Sequence, residues 1–225
     1  MIGTLRAIVL LTCKDLRIEV RSRQTLGLVA MLGALIIVVL GLGLGAQGRV
    51  PAYGAKAILW TAYLFGGVLC FEKTMAVERH DGALAGLLAS PIDRGAIFAG
   101  KLLSNLTLML AMAAIITPVA MVLFEFDLSA APGGFVAVTA LSMLGFAAVG
   151  TLFAAAVSST RLQGGLLAVL VFPICLPIVV ASTKILVGMF RDGAALGAAG
   201  LGLLAAFDAV YLVVSWLTFE RILEP

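Results

Sequence analysis

Few residues in this chain could do chemistry, and most of them crowd into one stretch. Glu78-Arg79-His80-Asp81 sets two carboxylates, a guanidinium and the only histidine side by side. A single histidine, with no HExxH pair, no CxxC pair and no Ser-His-Asp set, leaves too little for catalysis. Cys13, Cys70 and Cys175 lie far apart. They read as small apolar residues at or in a membrane, not as a redox or metal site. Gly95-Ala96-Ile97-Phe98-Ala99-Gly100-Lys101 has the GxxxxGK spacing of a phosphate-binding loop, but Leu102 follows where Mg²⁺ would need a hydroxyl. That segment also runs into an apolar span instead of leaving a buried strand. Neither ATP binding by this chain alone nor a self-sufficient enzyme is expected.

Two acidic residues and two prolines interrupt otherwise apolar runs. Asp208 stands near the middle of the last run, where an aspartate costs ~2.5–3.5 kcal/mol on insertion scales. Either it faces the bundle interior or water, or that span is shifted or short. Glu72 closes the second run and reaches the interface at lower cost. Pro173 and Pro177, four apart, each remove a backbone donor, worth ~3 kcal/mol in a regular helix interior. Such breaks persist in membranes where neighbours or water satisfy the freed carbonyls. They mark either a hinge or bent helix at a subunit interface, or a static kink.

The elements that must position these residues are set by composition. Of 225 residues, 62% are hydrophobic and only 12% charged, against the roughly 25% charged of a soluble globular chain. Mean hydropathy is +1.17. There is too little polar surface for a water-facing domain, and the chain is all-α: a polytopic membrane protein. Six apolar segments, near residues 25–46, 53–71, 102–124, 134–157, 166–187 and 196–219, approach the ~20 residues a helix needs to cross ~30 Å of hydrocarbon. Backbone groups left unpaired in lipid are intolerable, so each is expected to be a helix. Residues 41–45 add a GxxxG spacing that permits close packing without naming an interface.

Residues 1–24 are expected to form an amphipathic interfacial helix ahead of a six-helix transmembrane domain, 25–225. Leu5, Ile8, Val9, Leu16 and Val20 make an apolar stripe, while Lys14, Arg17 and Arg21 line the other side and suit anionic headgroups. No cleavable signal peptide is visible. Residues 77–94 form the longest polar interruption. Leu84, Leu87 and Leu88 fall at helical spacing, and Ser90-Pro91 ends that pattern. The segment is either a docking half-helix for a soluble partner or an ordinary solvated loop. Orientation follows from basic residues. Arg6, Lys14, Arg17, Arg21, Arg23, Lys73, Arg79, Arg94, Lys101, Arg161 and Arg221 share one side, against Arg49, Lys56, Lys184 and Arg191 on the other. The positive-inside rule puts both termini and the 77–94 segment in the cytoplasm.

These residues resemble a family. Trp60, Glu72, Asp81-Gly82-Ala83-Leu84, Leu87-Leu88, Pro91 and Lys101, then Gly164-Gly165-Leu166-Leu167 with Pro173 and Pro177, look like the CcmB permeases of cytochrome c maturation. Lys14-Asp15-Leu16-Arg17 with Arg21 is similar to the family's basic entry helix. Ala85 departs from it, standing where the family usually carries Glu. The resemblance implies an ABC-2-type permease in a bacterial inner membrane, coupling ATP hydrolysis in a CcmA-like ATPase to release of haem-loaded CcmE-like chaperone. CcmC-like and CcmD-like membrane subunits are implied partners, with two copies of this chain in the complex and lipid around it. It also implies ATPase contact at Glu78, Asp81, Gly82, Leu84, Leu87, Leu88 and Pro91, and a hinge or interface at Gly164, Gly165, Pro173 and Pro177. No cofactor is expected on this chain: ATP belongs to the partner, haem to the complex. No nucleic-acid partner is expected. The alternatives are an ABC-2-type exporter moving haem or another amphipathic substrate, and a purely structural scaffold.

Overall fold

The computed structural model describes residues 2–22, 24–45, 50–80, 86, 92–125, 128, 131–158, 163–191 and 197–222. Among them seven helices follow one another: α1 (Ile2–Ser22), α2 (Gln24–Gly45), α3 (Ala52–His80), α4 (Arg94–Phe124), α5 (Pro132–Val157), α6 (Gln163–Arg191) and α7 (Ala198–Ile222). The last six are long and apolar enough to cross a membrane, and the described residues form no strand.

Two helices outrun the apolar segments that specify them. The second span was expected to close at 71, yet α3 continues through Glu72 to His80. The next was expected to open at 102, yet α4 begins at Arg94. Hydropathy marks only what lipid accepts. A helix continues past that limit when its polar residues find partners on neighbouring helices, as Thr74, Glu78 and Lys101 do.

The centre of the bundle is aromatic. Trp60 is fully buried on α3 and meets Tyr63 edge-on at 5.4 Å and Phe146 of α5 at 6.4 Å. The Tyr63 hydroxyl pairs with Thr117 of α4 at 2.5 Å. α3, α4 and α5 supply most of this interior, while α2 and α7 leave long apolar faces uncovered, among them Met31, Leu42, Val213 and Leu217. A helix apolar on all sides suits a hydrocarbon solvent, where covering every face brings no gain.

α3 and α5 approach closely because Gly150 has no side chain. A Cβ there would lie 2.0 Å from the Phe71 ring, far inside van der Waals contact. Gly150→Val is therefore expected to push the two helices apart and cost about 1–3 kcal/mol of stability, the usual range for overpacking a filled core. Thermal unfolding of the detergent-solubilised chain checks this; an unchanged transition would mean that Phe71 has room to turn away.

Candidate functional site

The polar residues that α3 and α4 carry beyond the apolar limit converge with α1 on one buried charge cluster. Lys101 on α4 is 1% exposed. Its ammonium lies 2.6 Å from Glu78 Oε1 of α3 and 2.9 Å from Asp15 Oδ2 of α1. The Thr74 carbonyl, at 3.3 Å, takes its remaining N–H. A lysine has three donors and no acceptor, so three partners on two other helices exhaust it. Lys14 of α1 reaches the same Glu78 oxygen and lies 3.5 Å from Asp15. Ser104 donates to Asp15 Oδ2 at 3.2 Å. Two ammonium and two carboxylate groups thus cancel in net charge.

Close helix approach makes this geometry. A Cβ on Gly100 would meet the Leu11 Cβ at 2.9 Å, so α1 lies directly on α4. The Thr12 hydroxyl sits between the Ile8 carbonyl (2.9 Å) and the Gly100 carbonyl (3.2 Å). One turn further along each helix, Asp15 faces Lys101 and Ser104. The GxxxxGK spacing is thus a packing and ion-pair device: its last glycine seats α1 and its lysine holds it.

From the cluster a neutral polar chain runs into the bundle. The Thr74 hydroxyl lies 2.8 Å from both the Cys70 carbonyl and Asn105 Oδ1. Asn105 in turn donates to Thr151 of α5 at 2.9 Å. Glu19, buried one turn beyond Asp15, accepts the Leu26 backbone N–H at 2.9 Å and so pins the start of α2.

Lys14 lies outside the membrane-spanning helices. Burial works against its charge, but hydrogen bonds and attraction from Glu78 and Asp15 outweigh that and raise its titration above the ordinary 10.5. A raised value means that the folded chain holds this proton more tightly than the unfolded one. The Lys14 link is therefore complete below 10.5 and fades only as pH climbs through the raised value.

The expected site residues fall into separate places. Glu78, expected as a contact for a soluble partner, is 1% exposed and spent on the two lysines; it is an internal anchor, not a surface contact. Asp81, Gly82, Leu84, Leu87, Leu88 and Pro91 lie outside the described residues. Lys14, expected on the headgroup side of α1, turns inward, while Arg17 and Arg21 stay exposed. The apolar residues Leu5, Val9 and Val20 face away from the bundle. Gly164 and Gly165 stand in the first turn of α6, and Pro173 and Pro177 sit within that helix on its outward face. The Tyr211 hydroxyl donates to the Ile174 carbonyl between the two prolines, at 2.7 Å. Glu72 is half-buried. Asp208 is buried against α5 and α6: a Cβ on Gly145 would lie 2.4 Å from its Oδ1 and from Ile178 Cδ1. Neither Asp208 oxygen has a hydrogen-bond partner among the described residues. Among those residues no three His, Cys, Asp or Glu side chains gather as a metal-holding group.

The family pattern described as CcmB protein matches residues 6–224. The chain belongs to the CcmB family. The match takes in all four charged members of the cluster. The chain is similar to the heme exporter protein B of Bradyrhizobium diazoefficiens, 28% identical over 210 residues, which are 89% of this chain and 90% of that protein. It is also 28% identical to that of Paracoccus denitrificans over 172 residues, 74% of this chain and 76% of the relative. A shorter stretch, 95 residues, is 30% identical to that of Rhodobacter capsulatus and covers 42% of this chain and 44% of the relative.

Within this CcmB chain, Lys101→Met is expected to cost about 3–5 kcal/mol, because it leaves two buried carboxylates to the single, partly exposed Lys14. Lys14→Met is expected to cost clearly less, since the Lys14 side chain is 40% exposed and water replaces its contacts. Thermal unfolding of both variants in one detergent decides the order. Equal losses would mean that Lys101 is not the hub.

Proposed function

We propose that this chain is the non-catalytic permease subunit of an ABC transporter complex in cytochrome c biogenesis. In this reading it turns ATP hydrolysis in a CcmA-like partner into release of a haem-loaded, CcmE-like chaperone, alongside CcmC-like and CcmD-like membrane subunits. Membership of the CcmB family and relatives named heme exporter protein B support the transport role. The observation that carries the coupling role is the buried cluster. The segment 81–91 leaves α3 three residues after Glu78 and rejoins the chain ten residues before Lys101. Both anchors share one ion network with α1. A force on that segment cannot move α3 without also loading α4 and the N-terminal helix. In this reading Leu84, Leu87 and Leu88, at helical spacing in the sequence, are the residues that would dock apolar surface on the ATPase.

In this reading the chain lies in a bacterial inner membrane, and the excess of basic residues supports a cytoplasmic side for this end of the bundle and for both termini. His80 then stands on the cytoplasmic side, and haem iron at the outer face is left to other subunits. ATP likewise stays with the partner.

Leu87→Asp is expected to abolish chaperone release and to lower ATPase binding together, while the six spans still insert, because a charge on a docking face must be buried or force the face apart. Asp81→Ala should weaken both in the same direction. Pull-down of the ATPase and cytochrome c maturation are the readouts, and wild-type levels of both in both variants would reduce the segment to a loop. The orientation has its own check. A reporter active only in the cytoplasm, fused after Pro225, should give signal; activity of a periplasmic reporter there instead would invert the topology.

A further inference from the structure

The seam between α2 and α3 is open to the bilayer along its length. Toward the middle, Leu32, Ile36, Val39, Thr61 and Phe65 border a cavity of about 460 Å³. Toward the α1 end, Leu28, Val29 and Leu69 border a second of about 210 Å³, which also reaches Thr25, Glu72 and Lys73. Residues 25, 28/29, 32, 36 and 39 follow one face of α2, and 73, 69, 65 and 61 follow one face of α3, so the two hollows lie end to end along one groove-like seam. From Thr25 to Val39 it runs about 21 Å at 1.5 Å per residue. One leaflet is about 15 Å of hydrocarbon, half of the ~30 Å core. An acyl chain can therefore lie in the groove for its whole length.

The mouth of the groove is polar, and its groups are incompletely used. The Thr25 hydroxyl is buried without a hydrogen-bond partner among the described residues and borders both the groove and a small hollow of about 20 Å³ shared with Asp15, Glu19, Lys73 and Thr74. Lys73 donates to Gln24 at 2.8 Å, one of its three N–H groups. Glu72 borders the groove beside it, and Glu19 has one oxygen on the Leu26 N–H. One ammonium, one hydroxyl and two carboxylates are the complement of a headgroup carrying both a phosphate and a primary ammonium. A purely anionic headgroup would meet two like charges. A quaternary ammonium has no N–H to give the carboxylates.

We infer that the α2–α3 groove is a binding site for a single ethanolamine glycerophospholipid from the leaflet at the α1 end. Its phosphate sits on Lys73 and the Thr25 hydroxyl, its ammonium on Glu72, and one acyl chain lies along Leu28, Leu69 and Phe65. The site does not depend on the coupling role proposed above.

Native mass spectrometry of the full chain, with phosphatidylethanolamine, phosphatidylglycerol and phosphatidylcholine of identical acyl chains added at equal concentration, tests this. Phosphatidylethanolamine adducts are expected to exceed each of the others at least fivefold. Lys73→Glu, a half-buried and not a core position, is expected to remove that preference. Glu72→Gln should bring phosphatidylglycerol level with phosphatidylethanolamine. Leu69→Trp, which fills the groove, should lower retention of all three lipids about tenfold. Equal retention of the three lipids by the unmodified chain overturns the site, and so does an unchanged preference in Lys73→Glu.

Discussion

One ammonium group constrains the end of this bundle. Lys101 is shut away from water, and a buried charge survives only if every donor is met. Its partners come from α1, from the side chain of α3 and from the α3 backbone. The positions of three helices are therefore tied to the needs of one side chain. The hydrophobic interior around Trp60 holds the spans together in a general way, because many apolar side chains could pack there. The cluster is particular: it accepts one register of α1 against α4 and one reach of α3 beyond the lipid boundary. Asp208 is the contrast. It is nearly as buried but has no such company among the described residues, held in a gap between helices that exists only because residue 145 is glycine.

Much of the fold was legible before the structure. Six apolar runs gave six helices of membrane-crossing length, because burial in lipid makes hydropathy almost synonymous with position. The family resemblance rested on Asp-Gly-x-Leu, the two glycines and the two prolines, and the match over 6–224 agrees with it. Charge was read less well. Lys14, Glu78 and Lys101 entered the sequence reading as tokens of sidedness or as loop contacts, since a linear count sees the sign of a residue but not what faces it. Nothing in the spacing of positions 15, 78 and 101 announces that they meet. The nearest clue was a lysine opening an unbroken apolar run, an expensive place for a charge without a partner. The small Gly100 beside it was visible too, but read as part of a nucleotide-loop spacing and set aside.

The same cluster dictates an order of events during synthesis. Lys14 and Asp15 leave the ribosome early, yet their counter-charges sit at positions 78 and 101, after two further spans have been made. Until α3 and α4 are in place, α1 has no seat: its inward face carries Asp15 and Glu19 beside Leu11, a combination that neither hydrocarbon nor a half-built bundle would take up. It must wait at the headgroup layer, lying on Leu5, Val9 and Val20, while the chain grows. α1 is thus translated before the helices that seat it and docks after them, and its docking closes a loop of more than eighty residues. A nascent chain arrested before position 101 would carry its N-terminus unfastened, so the seating of α1 reports that the first half of the bundle has been correctly inserted.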